Sequence, residues 1–265
     1  MNPIAGTPAP GTGARIVLLN PNTSSGVTAR IDAAARAAAA PGTVLSCLTA
    51  PYGVPYIATR SEAVVGARVA LEMAAEHCHD ADAMIIAAFG DPGLGGAREI
   101  LPIPVIGLAE AAMLTACMLG RRFAIVSFAT ALGPWYRECV DYHGLAGRLA
   151  GIRLLDGAFA AIDHVQSEKE DLLVALAHRA VEEDGADVII LAGAPLAGLA
   201  ARVADRIPVP VVDGVAAAVK QAEALAALRP RKATAGTFRR PAPKPVTGVA
   251  PALERLMAGP SEGSN

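Results

Sequence analysis

The chain repeats itself. Residues 83–112 (AMIIAAFGDPGLGGAREILPIPVIGLAEAA) and 187–217 (DVIILAGAPLAGLAARVADRIPVPVVDGVAA) run through one series of features. Each has a short apolar run, a Gly/Pro turn, a small-residue helix, a Pro-Val-Pro-type strand and a second helix start. The copies lie about 104 to 106 positions apart. Two copies of one pattern must bury the same faces, so two similar α/β halves facing each other are expected, with a ligand site where they meet.

Strand and helix signals alternate along the chain. Strands are expected at 15–19, 43–48, 84–87, 104–107, 123–128, 152–156, 188–191 and 209–212. Helices are expected at 26–40, 61–79, 93–99, 109–119, 133–143, 168–184, 197–205 and 215–228. This alternation predicts an α/β fold of two pseudo-symmetric parallel-sheet halves covered by helices. The first half comprises 15–112 plus 215–228, the second 113–214. Residues 1–14 read as a flexible leader. Residues 229–265, basic and Pro-rich with a short helix at 252–257, read as a C-terminal arm. Ligands of such sheets bind beyond the carboxyl ends of the strands. Here those ends carry NPNTS, AFGDPG, SFAT, AGAP and DGV, all small or polar turn residues.

Composition narrows the function classes. Of 265 residues 53% are hydrophobic and only 4% aromatic, so small and branched aliphatic side chains must do most of the packing. The net charge of −2 and the lack of a basic patch before the arm argue against nucleic-acid binding. Residues 37–59 carry no charge, but three prolines and two glycines interrupt them, so no membrane span is expected. The leader lacks the pattern of a secretory signal, and the cytoplasm is the expected compartment. Cys47, Cys78, Cys117 and Cys139 fit no metal-binding spacing and read as reduced thiols. His77, His79, His143, His164 and His178 form no cluster, and no metal site is expected.

Several strand-end residues are candidates for ligand contact. Asn20 stands at a strand tip, and Thr23 opens a helix whose free N–H groups attract anions. Phe89, Gly90 and Asp91 follow another strand; Gly90 permits close backbone approach, and Asp91 offers a base or a helix cap. Ser127 and Thr130 end a strand of the second half. Glu110 and Asp213 occupy matching strand-to-helix junctions, as acids or bases or as ordinary helix-start carboxylates.

At these residues the chain resembles the Asp/Glu racemase superfamily, and within it the hydantoin racemase group. The matching pieces are NPNTS (20–24), PYGVPYI (51–57), AFGDPGL (88–94), PVIGLAEAA (104–112), LGRRFAIVSF (119–128) and AGAPLAGLA (192–200), in order over residues 15–228. The resemblance implies a site between two halves and catalysis without pyridoxal phosphate, metal or other cofactor. It also implies two cysteines on opposite faces of the substrate, one removing the proton beside a carbonyl and the other returning it. Here those positions are Ala88 and Gly193, with Ala194 next in the second loop. Neither side chain transfers a proton, and Cys117 and Cys139 do not match the family's positions.

Three readings therefore stand. One is a cofactor-independent enzyme, expected to be a homo-oligomer, acting on a small carbonyl acid, hydantoin or ureido compound. Its proton transfer would rest on Asp91, Glu110, Tyr52, Tyr56, Ser127 or water, and its reaction would be isomerisation, decarboxylation or hydrolysis. The second is a small-ligand binder that kept the cleft without the catalysts. The third is an interaction role for the basic arm.

Overall fold

The computed structural model describes residues 13–156 and 162–259. The expected leader, apart from Gly13 and Ala14, lies outside them, as do the last six residues of the arm. Two four-stranded parallel sheets make up the core. The first contains β1 (Arg15–Asn20), β2 (Val44–Thr49), β3 (Ala83–Ile86) and β4 (Val105–Gly107) in the order β2-β1-β3-β4. The second contains β5 (Phe123–Ser127), β6 (Leu149–Leu154), β7 (Val188–Leu191) and β8 (Val211–Asp213) in the order β6-β5-β7-β8. The same order in both sheets is the structural form of the sequence repeat.

The central strands show why the apolar runs are unbroken. AMII of β3 and VIIL of β7 are buried along their whole length, since helices cover both faces of a parallel sheet. Boundaries differ from expectation by up to three residues, and the start of β6 shows one cause. β6 begins at Leu149 rather than 152, because Leu149 is buried beside Phe123 at a register shift. The intervening Ala150 and Gly151 have poor strand propensity and mask that start in the sequence.

The helices are α1 (Ser25–Ala38), α2 (Arg60–His77), α3 (Leu94–Ile100), α4 (Leu108–Leu119), α5 (Gly133–Tyr142), α6 (Val165–Asp184), α7 (Leu199–Val203), α8 (Gly214–Leu228) and α9 (Pro251–Ala258). Local chemistry sets their ends. Ser24 caps α1, and Thr59 and Glu62 form a reciprocal capping box at the start of α2. The last helix of each repeat crosses to the other half. α8 lies against β3, β4 and β1 of the first sheet, and α4 against β7, β8 and β5 of the second. Glu223 of α8 accepts hydrogen bonds from Ala40 N and Thr43 Oγ1 (both 2.7 Å), and Gln221 donates to Ala111 O (2.9 Å). This exchange makes the two halves one body and brings the N-termini of α4 and α8 together at the seam.

The arm returns over the first half. Arg68 donates to Gly248 O (2.5 Å), Ala250 N donates to Glu72 (3.2 Å), and Leu253 of α9 is only 4% exposed within a cluster that includes Val69, Met73 and Leu94. Leu253→Ala is expected to cost about 2–3 kcal/mol, the usual penalty of a buried Leu truncation. Urea denaturation, with limited proteolysis of the arm, checks this. Among the described residues no helix is long and apolar enough to cross a membrane.

Candidate functional site

Where the carboxyl ends of the two sheets face each other there is a narrow crevice lined by Phe89, Leu108, Leu191, Gly193, Asp213 and Val215. Both strand-end loops contribute to it, through Phe89 from the first half and Gly193 from the second. Aromatic side chains crowd the same seam. Phe89 lies 4.8 Å from Tyr136 between ring centroids, Trp135 5.9 Å from Tyr136, and Tyr56 5.9 Å from Phe128. Half of the chain's ten aromatic residues therefore gather in one place, although aromatics are scarce elsewhere. Such rings supply a large rigid apolar surface.

α5 brings Trp135 and Tyr136 over the loop that follows β3. The Trp135 ring rests on Gly90, whose φ of 119° lies in the left-handed region and where any Cβ would overlap the ring. The next residue, Asp91, also has positive φ (51°), a costly conformation for a side chain other than glycine.

Ala88 and Gly193 occupy the two positions that matter most. Ala88 is 7% exposed and ends in a methyl group. Gly193 has φ 110° and ψ 134°. A Cβ there would stand 2.9 Å from Phe128 Cε1 and 3.5 Å from the Tyr136 hydroxyl. The space a second-half side chain would enter is thus taken by Phe128. Ser127 donates to Ala192 O (2.7 Å), which commits its proton. The Tyr136 phenol lies in the same seam, against Phe89 and Trp135. Burial holds its pKa well above the usual value, so the group stays neutral.

The remaining candidates divide. Asn20 is 1% exposed, and its amide donates to Asn22 Oδ1 (3.1 Å), Ser24 O (3.2 Å) and Thr28 Oγ1 (2.9 Å). Thr23 N donates to Val54 O (3.0 Å) and ties NPNTS to the PYGVPYI segment. These contacts brace the loop after β1. Thr130 is exposed at the start of a short 3-10 helix. Ala194 is buried and begins the turn after Gly193. That turn is held by Gln166 of α6, which donates to Pro195 O (2.9 Å) and Ala197 O (2.8 Å). Gln166, Trp135 and Tyr136 escaped the sequence reading because they sit on helices rather than at strand ends.

Two carboxylates cap the paired helix starts, by different routes. Asp213 accepts from Val215 N (2.9 Å), Ala216 N (3.1 Å) and Gly198 N (2.6 Å). At the equivalent position before α4 stands Gly107, and Asp91 reaches in instead, accepting from Ala109 N (2.8 Å) and Glu110 N (2.9 Å). Gly107 is required, because a Cβ there would overlap the Asp91 carboxylate. Burial raises the Asp213 pKa, against the opposing pull of its backbone hydrogen bonds.

A charged cluster lies behind the first loop. His143, just past α5, places Nε2 3.0 Å from Asp91 and Nδ1 3.5 Å from Glu110, and Glu110 is paired with Arg98. Burial works against a charged imidazole, yet the hydrogen bonds and charges of Asp91 and Glu110 outweigh it and raise the His143 pKa to about 9. Burial likewise works to raise Glu110, but His143 and Arg98 hold it down at about 2. The His143 pairing therefore stabilises the fold fully below about pH 6.5 and is lost as the pH rises through about 9. Asp91, Cys139 and His143 each offer one ligand atom within 4.8 Å of the others, the donor set of a small metal site. Both Asp91 oxygens already accept backbone N–H groups, however, and His143 itself supplies the cation between the carboxylates.

The cysteines offer no replacement base at a strand end. Burial pushes Cys47 up to about 12 and raises Cys78; Cys139 is raised by burial and by the Asp91 and Glu110 charges. These thiols are kept protonated.

Comparison with known proteins agrees with this geometry. The family model described as Asp/Glu/Hydantoin racemase matches residues 16–222. A hydantoin racemase of Paenarthrobacter aurescens is 35% identical over 232 residues, covering 87% of this chain and 98% of its own. The allantoin racemase structure from Klebsiella pneumoniae superposes with a TM-score of 0.86 at 36% identity, covering 91% of this chain and 99% of that one. The allantoin racemase of Pseudomonas fluorescens gives 0.82 at 33% identity, covering 88% and 100%. With its duplicated parallel sheets, its strand-end seam and these similarities over nearly the whole length, the chain belongs to the Asp/Glu/Hydantoin racemase family, as a hydantoin racemase-like member.

Proposed function

We propose that this protein is a cofactor-independent enzyme of the racemase family that exchanges the proton next to a carbonyl of a small hydantoin-like or ureido compound, from one face only. The observation that carries the reading is the crevice itself. It is formed by both strand-end loops, and Asp213 is the one ionisable side chain in its lining. Three backbone amides occupy three of the four lone-pair sites of that carboxylate, which leaves one on Oδ2. Burial makes the carboxylate a stronger base than usual, as a proton acceptor at neutral pH requires.

In the proposed step the Cα–H proton passes to Asp213 Oδ2, and the C–H electron pair moves onto the carbonyl oxygen as an enolate. A proton exchanged with solvent then returns to the same carbon on the side from which the first one left, so the centre keeps its configuration. Neither Ala88 on one flank nor Gly193 on the other carries a group that could protonate the far face. The similarity to hydantoin and allantoin racemases supports the substrate class, and the net charge of −2 supports a small molecule rather than nucleic acid as partner.

The test is proton NMR and polarimetry in D2O on a panel of 5-substituted hydantoins and allantoin. Deuterium is expected to enter at Cα while optical rotation is retained. Asp213→Asn is expected to slow that exchange by about 100-fold or more, the usual contribution of a positioned base. Loss of rotation as fast as deuterium uptake would overturn the one-face step. Binding without any exchange would favour a small-ligand binder, the reading to which the Phe128 contact at Gly193 also points.

A further inference from the structure

We propose that His143 is a positioning residue: as an imidazolium it latches the second half onto the loop that carries Ala88 and Phe89, and so sets how tightly the cleft is closed. The proposal rests on the reading of this cleft as the binding seam. His143 and Asp91 are 52 residues apart in the chain and belong to opposite halves. The histidine side chain is 6% exposed and the aspartate's 2%, so the pair is shielded from water, where a charged hydrogen bond is strong.

What the latch holds is the site. Asp91 ends the Ala88–Phe89–Gly90 stretch, and its amide donates to Ala88 O (3.1 Å). The helix leading into His143 carries Trp135, seated on Gly90, and Tyr136, stacked on Phe89. One ion pair therefore fixes loop and aromatic lid together. The contrast with Arg60 and Glu138 is instructive. That pair also joins α2 to α5 but is 62% and 53% exposed, and exposed pairs add little.

Charge balance explains why the latch is a histidine. The groups facing it are Asp91 from the loop, Glu110 from α4, and beyond Glu110 the guanidinium of Arg98 from α3. From α5 itself, the Cys139 thiol stands beside it and the Tyr142 ring packs edge-on at 5.0 Å. Two carboxylates and one guanidinium leave one negative charge over, which protonated His143 cancels. Loss of that proton leaves a buried net charge and removes the attraction between the halves. The cleft is thus built to loosen in alkali.

The single tryptophan reports this state without any substrate. Trp135 emission is expected to shift to the red as the pH is raised from 6.5 to about 9.5, with unchanged far-UV circular dichroism. His143→Gln is expected to emit at the red-shifted wavelength already at pH 7 and to show no further transition. Wild-type emission that stays constant over this range, or the same transition in His143→Gln, would overturn the latch. Proton NMR of the histidine Cε1 signals in the unaltered chain keeps the test independent of whether the variant folds. A His143 signal that titrates near 9 supports the latch, and one that titrates at or below 6.5 refutes it. A hydantoin panel showing no exchange would sink the proposed reaction and leave these readouts standing.

Discussion

A cysteine placed at Gly193 is expected to destabilise the protein by about 2–6 kcal/mol and to give no racemase, even beside Ala88→Cys. Two costs add. A residue with a Cβ at φ 110° carries about 1–3 kcal/mol of backbone strain. Its Cβ also meets Phe128 Cε1 at 2.9 Å, and overpacking a filled core costs about 1–3 kcal/mol more. Neighbouring side chains occupy the space that a side chain at 193 would need. Phe128→Leu shortens the ring that intrudes, so the triple variant Ala88→Cys, Gly193→Cys, Phe128→Leu is the one expected to regain proton exchange on both faces. Thermal denaturation and chiral chromatography of hydantoins follow the two effects. A double cysteine variant with wild-type melting temperature and measurable racemisation would show that Phe128 is no obstacle.

Gly107→Ala is expected to cost more than about 4 kcal/mol, far beyond a glycine-to-alanine change at an ordinary helix entry. The added methyl would occupy the place of the Asp91 carboxylate. If Asp91 moves, the amides of Ala109 and Glu110 lose their acceptor, and His143 is left beside Glu110 without its nearer partner. A lost cap is worth about 0.5–2 kcal/mol and a broken buried ion pair about 3–5 kcal/mol. Urea denaturation measures the sum, and Trp135 emission should redden at neutral pH in the same variant. A loss below about 1 kcal/mol would mean that Asp91 has another rotamer in which to serve both partners.

Much of this architecture is legible along the chain because its causes are local. The apolar runs AMII and VIIL, the capping residues Ser24 and Thr59, and the repeat of strand, turn and helix all act within a few residues of themselves. They locate the strands and helices to within a few residues, and they mark 88 and 193 as equivalent strand-end positions. Where a boundary slipped, at β6, the reason was a strand held by its neighbour rather than by its own Ala-Gly start. The strand-end candidates were legible for the same reason, yet their roles were not. Asn20 looks like a ligand donor in sequence, but its amide is committed to Asn22, Ser24 and Thr28.

The amino-acid sequence alone thus determined the α/β repeat, the family resemblance and the absence of a thiol at either key position. Tertiary structure alone decided that Phe128 fills the room beside Gly193, that Asp91 takes the place a side chain at 107 would need, that Asp213 faces the crevice, and that His143 closes the seam by charge. The physical reason is range. Periodicity and turn chemistry are properties of neighbouring residues. The partners of a buried charge, or the side chain that fills the room beside a glycine, are set only once segments such as Asp91 and His143, 52 positions apart, have been packed against each other and removed from water.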